Sequence, residues 1–149
     1  MPPMPRLTRR APLLLALALV GTMALAAEEA KDPDVKARIA LMQALKAETG
    51  TLADMVAGKA PFDAAKAEAA IEALRADADR VEPAFKPRAD DPASEALPDI
   101  WNAPSEFRQK GNRLVKATME LDGGSPGALG DSLETLSAAC KDCHGRFKM

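Results

Sequence analysis

The sequence is short of the residues that build sheets. It has no tyrosine, one tryptophan and four phenylalanines, so aromatics make up 3% of its 149 residues. Strands favour aromatic and β-branched side chains, and a sandwich or barrel is hard to assemble without them. Hydrophobic residues still reach 47%, but these are mostly alanine and leucine, the strongest helix formers. A basic excess is missing too. Twenty lysines and arginines face 22 aspartates and glutamates, for a formal net charge of -2. A nucleic-acid module normally advertises a positive balance, so no nucleic-acid partner is expected. The length leaves room for one domain. Histidine and cysteine are scarcest of all, with one and two copies, which makes their positions informative.

The first residues read as a targeting segment. Arg6, Arg9 and Arg10 form a positive start, residues 11–20 an apolar run, and Ala24-Leu25-Ala26 places small residues where a signal peptidase reads. The uncharged stretch 11–27 is also near the length of a membrane anchor. The flanks favour a signal peptide over residues 1–26, leaving one domain over 27–149. Cleavage leaves 17 basic and 22 acidic residues, a net of -5. That acidity argues against anionic lipid surfaces, so the mature form is expected off the membrane, in the periplasm. Export also implies an oxidising compartment in which two cysteines could form a disulfide.

Four helical segments are legible in the remaining chain. The first opens at Asp32-Pro33, a capping residue followed by proline. Its inward stripe is Val35, Arg38, Met42, Leu45, Thr49, Leu52 and Val56, and Gly58 is a plausible stop. The second opens at Asp63, repeats through Ala67, Ile71, Leu74, Ala78 and Val81, and should stop near Pro83. Residues 82–104 hold five prolines and form a long connection, the kind that is often functional. The third starts near Pro104 with Phe107, Gly111, Leu114, Thr118 and Leu121. After Gly123-Gly124, the fourth opens at Ser125-Pro126 with Leu129, Leu133, Leu136, Cys140, Cys143 and Phe147. These narrow seams predict an all-α fold, an antiparallel four-helix bundle. Small seam residues such as Ala67, Ala78, Gly111 and Thr118 either draw helices together or leave room for something large. Asp77, Asp79, Asp90 and Asp91 read as solvated surface.

Cys140-Lys141-Asp142-Cys143-His144 spells C-x-x-C-H, the attachment signature of a c-type haem. Two thiols three residues apart lie on one helix face, where each can bond one vinyl-derived carbon of the porphyrin. The next residue, His144, is held where its imidazole can bind the iron. Other uses of these residues fit less well. A dithiol redox motif usually sits in a β-α-β context. A structural zinc site needs about four ligands. A plain disulfide leaves the adjacent histidine unexplained. One covalently bound haem c per chain is therefore expected, within the bundle.

The sequence resembles the class II c-type cytochromes, the cytochrome c′ family and its low-spin methionine-ligated relatives. The resemblance rests on the C-terminal C-x-x-C-H, the long loop before the third helix, residues 58–63 between the first two helices, and Pro98-Asp99-Ile100-Trp101. It spans nearly all of residues 32–148. That family is itself a known example of a four-helix bundle, so family and seams agree on the fold.

The resemblance also implies roles on the first helix, at Arg38-Ile39-Ala40-Leu41-Met42. Arg38 would lie by a haem propionate, and Met42 would face the open side of the iron. An arginine on an apolar seam needs a buried anion, unless it snorkels to solvent. Phe85 would pack on the haem. In high-spin members an apolar residue at the Met42 position leaves the iron five-coordinate and open to NO or CO. In low-spin relatives a methionine there binds the iron, and the protein carries electrons. Ile39 and Glu82 stand where the high-spin pattern often has glutamine and tryptophan, which favours Met42 as ligand. A methionine on a helical stripe is otherwise usually core. Lys148, four residues after His144, stands where the family often has arginine. The expected function is a non-enzymatic carrier of single electrons with redox proteins as partners. The alternative is a five-coordinate protein that binds NO or CO. The family also suggests a homodimer.

Overall fold

Four long helices and one short one account for the computed structural model, which describes residues 29–149. The signal segment expected over residues 1–26, with its expected cleavage point, lies outside the described residues. The helices are α1 Pro33–Val56, α2 Ala64–Ala84, α3 Asp99–Asn102, α4 Pro104–Met119 and α5 Pro126–Phe147. Three of the starts carry the caps that the sequence announces. Asp32 accepts from the amides of Asp34 at 2.8 Å and Val35 at 3.1 Å. Asp63 accepts from Lys66 at 3.0 Å and Ser125 from Ala128 at 3.2 Å. Each satisfies a backbone donor that the first helical turn leaves open. Pro33, Pro104 and Pro126 stand in first turns, where the missing N–H costs nothing. Two residues past the end of α1 stands Gly58, whose φ of 68° is the left-handed conformation that glycine adopts without strain.

Each long helix packs on its two neighbours in the ring α1–α2–α4–α5. This is the antiparallel four-helix bundle that the seams predict. α2 passes through Pro83, which gives up the bond to the Asp79 carbonyl one turn back, and ends one residue later at Ala84. α3 is an extra turn just ahead of α4, and the seam residue Leu121 is buried two residues beyond the end of α4.

The interior divides into two clusters. One is aliphatic and includes Leu52, Met55, Ile71, Leu74, Leu129 and Leu136. The other is built on Leu41, Val81, Ile100, Phe107 and Phe147. Thr118 is fully buried within a helix, and its hydroxyl donates to the Val115 carbonyl at 2.7 Å, so nothing polar is left open. The α1 stripe fails at its last position. Met55 is buried there, while Val56 is 38% exposed. Across from Val56, α5 presents Gly130, where an added Cβ would lie 3.3 Å from the valine. The glycine lets α5 approach α1 closely at this point, and little room is left between them for a larger side chain.

The connection after α2 is fastened at both ends. Asp91 is not the solvated residue expected from sequence. It is 7% exposed, and its carboxylate accepts from the amides of Lys31 at 2.7 Å, Asp32 at 2.8 Å and Ala93 at 2.9 Å. Those donors, that of Asp32 foremost, hold its carboxyl below the usual range. Further along, Ala96 pairs with Lys148 in an antiparallel bridge. Leu97 N–H donates to Phe147 and Met149 N–H to Glu95, each at 2.9 Å. The loop thus ties the start of α1 to the end of α5.

Candidate cofactor site

Between the aromatic cluster and the middle of the bundle lies a cleft of about 580 Å³. That size is within the range of small-molecule and cofactor sites. The last turns of α5 supply Cys140, Cys143 and His144 to its wall, and α1 supplies Arg38, Met42 and Leu45. Phe85, at the end of α2, completes the group. All six predicted site residues therefore face one space.

The two thiols are half-buried and not joined to each other. Burial pushes both upward, Cys143 to about 11. Redox-active dithiols work the other way, with at least one thiol pKa lowered toward neutrality. Among the described residues, no group of three or more histidine, cysteine or acidic side chains could hold a metal ion. The zinc and dithiol readings thus lack their chemistry. His144 is held below its usual pKa by burial first and by the Lys148 cation second. A lowered value keeps the imidazole neutral, the form that binds a metal.

Asp142, inside the C-x-x-C-H, does not simply point into water. Lys110 Nζ lies 2.7 Å from it and Arg113 Nη1 3.1 Å, both from α4. These partners, Lys110 foremost, hold its carboxyl below the usual range. Two residues past His144, Arg146 pairs with Asp99 and lies 3.3 Å from the Glu106 carboxylate. Lys148 pairs with Glu95 at 3.0 Å. The turn that carries His144 is braced on α3, α4 and the loop.

Arg38 settles the snorkelling question, for it is 3% exposed. Its Nε donates to the Ala84 carbonyl at 2.9 Å, and Nη2 donates to Pro87. The guanidinium stacks 5.1 Å from the Phe85 ring and 5.3 Å from Trp101. Trp101 Nε1 in turn donates to the Phe85 carbonyl at 2.8 Å, locking the ring in place. Burial pulls the Arg38 pKa down, with Asp34 and Asp32 opposing. Its Nη1 is buried with no hydrogen-bond partner. An orphaned cationic donor of this kind calls for an anion.

Gly111 adds a second sign that the cleft wants an occupant. It is buried and lines the cleft, yet a Cβ built on it would meet nothing within 4 Å. The residues thus fit a flat, largely apolar group with an acidic edge, which is what a haem presents. Met42 is half-buried and packs against the aromatic cluster as well as lining the cleft. Ile39 also lines it, whereas Glu82 lies 3.9 Å from Arg108 outside. Sequence reasoning missed Lys110, the backbone partners of Arg38 and the bracing by Arg146. None of these carries a periodic or motif signal, because each depends on which loop meets which helix.

Comparison with known proteins bears on the same region. The family model for cytochrome c′ matches residues 34–148. Cytochrome c-554 from Cereibacter sphaeroides is 32% identical over 147 residues, covering 91% of this chain and 94% of that one. Cytochrome c′ from Alcaligenes xylosoxydans xylosoxydans is 30% identical, covering 76% and 91%. Among solved structures, cytochrome c′ from Rubrivivax gelatinosus aligns with a TM-score of 0.71 and 28% identity, over 78% of this chain and 94% of that one. A nitric oxide complex of a cytochrome c′ variant from Alcaligenes xylosoxidans aligns with a TM-score of 0.69 and 27% identity, over 77% and 93%. With the family model matching nearly the whole described chain and the same bundle in its solved relatives, the protein belongs to the cytochrome c′ family of c-type haem proteins, which bind covalent haem c.

Proposed function

We propose that the protein is a periplasmic carrier of single electrons, with Cys140 and Cys143 holding the haem through thioethers. The observation that supports this most is convergence: both thiols, His144 and Met42 line one cleft from two different helices. Bound there, a haem supplies a one-electron iron(III)/iron(II) couple. The chain's own groups do the rest. His144 would hold the iron through its imidazole and Met42 through its thioether, a soft neutral donor that raises the potential of a histidine-ligated haem. Arg38 Nη1, without a partner among the described residues, would donate to a propionate. Phe85 would pack on the haem, and it packs on Phe107, whose ring centroid is 5.4 Å away. No enzymatic turnover is proposed, since the cleft offers no second acid–base histidine.

A second reading keeps Met42 as packing only. Only His144 would then hold the iron, and NO or CO would have access from the Met42 side. It is favoured by the Met42 contacts with the aromatic cluster and by the relative solved with nitric oxide bound. Met42→Leu separates the two, because it keeps volume and removes sulfur. For the carrier, the absorption spectrum turns from low-spin to high-spin and rapid CO binding appears. A wild type already high-spin, and unchanged by the substitution, would replace the carrier with the gas-binding reading. Export is checked by intact mass. The mature protein should begin at Ala27, and a membrane-bound chain that retains residues 1–26 would replace the signal with an anchor.

A further inference from the structure

The charges around the cleft run against those of the chain. Four cations line it, Arg38, Lys46, Lys110 and Lys148, against one carboxylate, Glu95. Yet residues 27–149 carry five more acids than bases. The opposite balance appears on α2, which bears five carboxylates and three cations. Ion pairing does not cancel the excess. Lys148 is matched by Glu95. Lys110 and Arg113 share the single carboxylate of Asp142, leaving one positive charge over. Lys46 is exposed and has no ion-pair partner among the described residues. A haem brings two carboxylates of its own. Arg38, buried and aimed inward, matches one, and the other offsets one of the two positive charges left by Lys46 and the Asp142 cluster, so the mouth stays cationic by a single charge.

We propose that this mouth is the docking surface for a redox partner that presents an acidic face. The proposal rests on the electron-carrier reading. A local field of one sign at a cleft steers an oppositely charged partner even when net charge opposes it, and salt screens the effect. Electrons therefore enter and leave where the cations are.

Stopped-flow oxidation of the reduced holoprotein by two small reagents tests this. Hexacyanoferrate(III), an anion, takes one electron and becomes hexacyanoferrate(II). Tris(phenanthroline)cobalt(III), a cation, takes one and becomes the cobalt(II) complex. Net charge alone makes the anion reaction speed up as salt is added. The cationic mouth makes it slow down, by roughly tenfold between 0.01 M and 1 M ionic strength, while the cobalt rate rises or stays level. Lys46→Glu should cut the low-salt hexacyanoferrate rate several-fold. Lys66→Glu, an identical charge change at the start of α2 and away from the cleft, should leave it nearly unchanged. Poly-L-glutamate should slow the hexacyanoferrate reaction at low salt, and polylysine should not. A hexacyanoferrate rate that climbs with salt, equal effects of the two variants, or indifference to polyglutamate would each overturn the proposal. The carrier reading is judged separately, by the spin state of the wild type, which none of these slopes reports.

Discussion

At the end of the bundle that holds Leu52, Ile71 and Leu129, the chain fills its interior with its own aliphatic side chains, all three fully buried. At the end that holds Phe85, Phe107 and Phe147, it lines a space of about 580 Å³. The same four helices run through both. What differs is the material between them. Leucines interlock at the first end, while at the second Gly111 is buried beside open space and Arg38 keeps an unpartnered donor. The first end is complete as a polypeptide. The second is arranged around a group that the sequence does not encode. Folding and function are thus separated along the bundle axis, with the closed end providing a platform for the cleft.

This contrast breaks most severely if the cofactor cannot be attached. Cys140→Ser with Cys143→Ser should abolish covalent haem, so that acid–acetone extraction leaves no colour on the polypeptide. The cleft end should then lose order while the closed end keeps it. Hydrogen exchange should show protection lost over residues 93–101 and 140–148 but retained around Leu129. Uniform retention of protection would mean that the cleft end needs no occupant.

The reverse damage is made at the closed end. Leu129→Ala deletes a side chain that is 0% exposed and should cost about 2–5 kcal/mol in chemical denaturation. The absorption spectrum of the folded holoprotein should not change. A shifted spectrum would show that the two ends are coupled rather than separate.

The smallest change sharpens the comparison at the rim. Asp91→Asn weakens the carboxylate that holds the amides of Lys31 and Asp32. The native carboxyl titrates below the ordinary aspartate value near 3.9. Its contribution is therefore complete above that pH and disappears as pH falls through the lower native value. The gap in stability between wild type and variant should be constant near neutrality and narrow below about pH 4. A gap that widens on acidification would mean that another group carries the acid sensitivity.

How far the sequence anticipates this structure follows the same division. The long helices, the caps at Asp32, Asp63 and Ser125, and the closed-end core are legible because each is local or periodic. The C-x-x-C-H is legible as a motif, and its three residues do line one cleft. Legibility ends where non-local backbone meets side chain. Nothing in the pattern around Asp91 shows that its carboxylate reaches back some sixty residues to the start of α1. Nothing around Arg38 points to the Ala84 and Pro87 carbonyls. Val56 satisfies the heptad arithmetic yet is 38% exposed, while its neighbour Met55 takes the buried place. Periodicity reports which face of a helix is apolar, not how deeply a neighbour covers each position on it.

The loop of residues 85–98 also determines how the protein can be wired to something else. Through Asp91 it holds the backbone at Lys31, and through Glu95 it holds the backbone at Met149. Glu95 is itself a wall residue of the cleft. A linker joined after Met149 would leave the molecule beside the rim of the cleft. A chain anchored on an electrode through that linker would present its cleft to the metal, whereas an anchor on the turn around Gly58 would turn the cleft away. Electrode current from the two orientations should differ, although every covalent bond within the domain is the same.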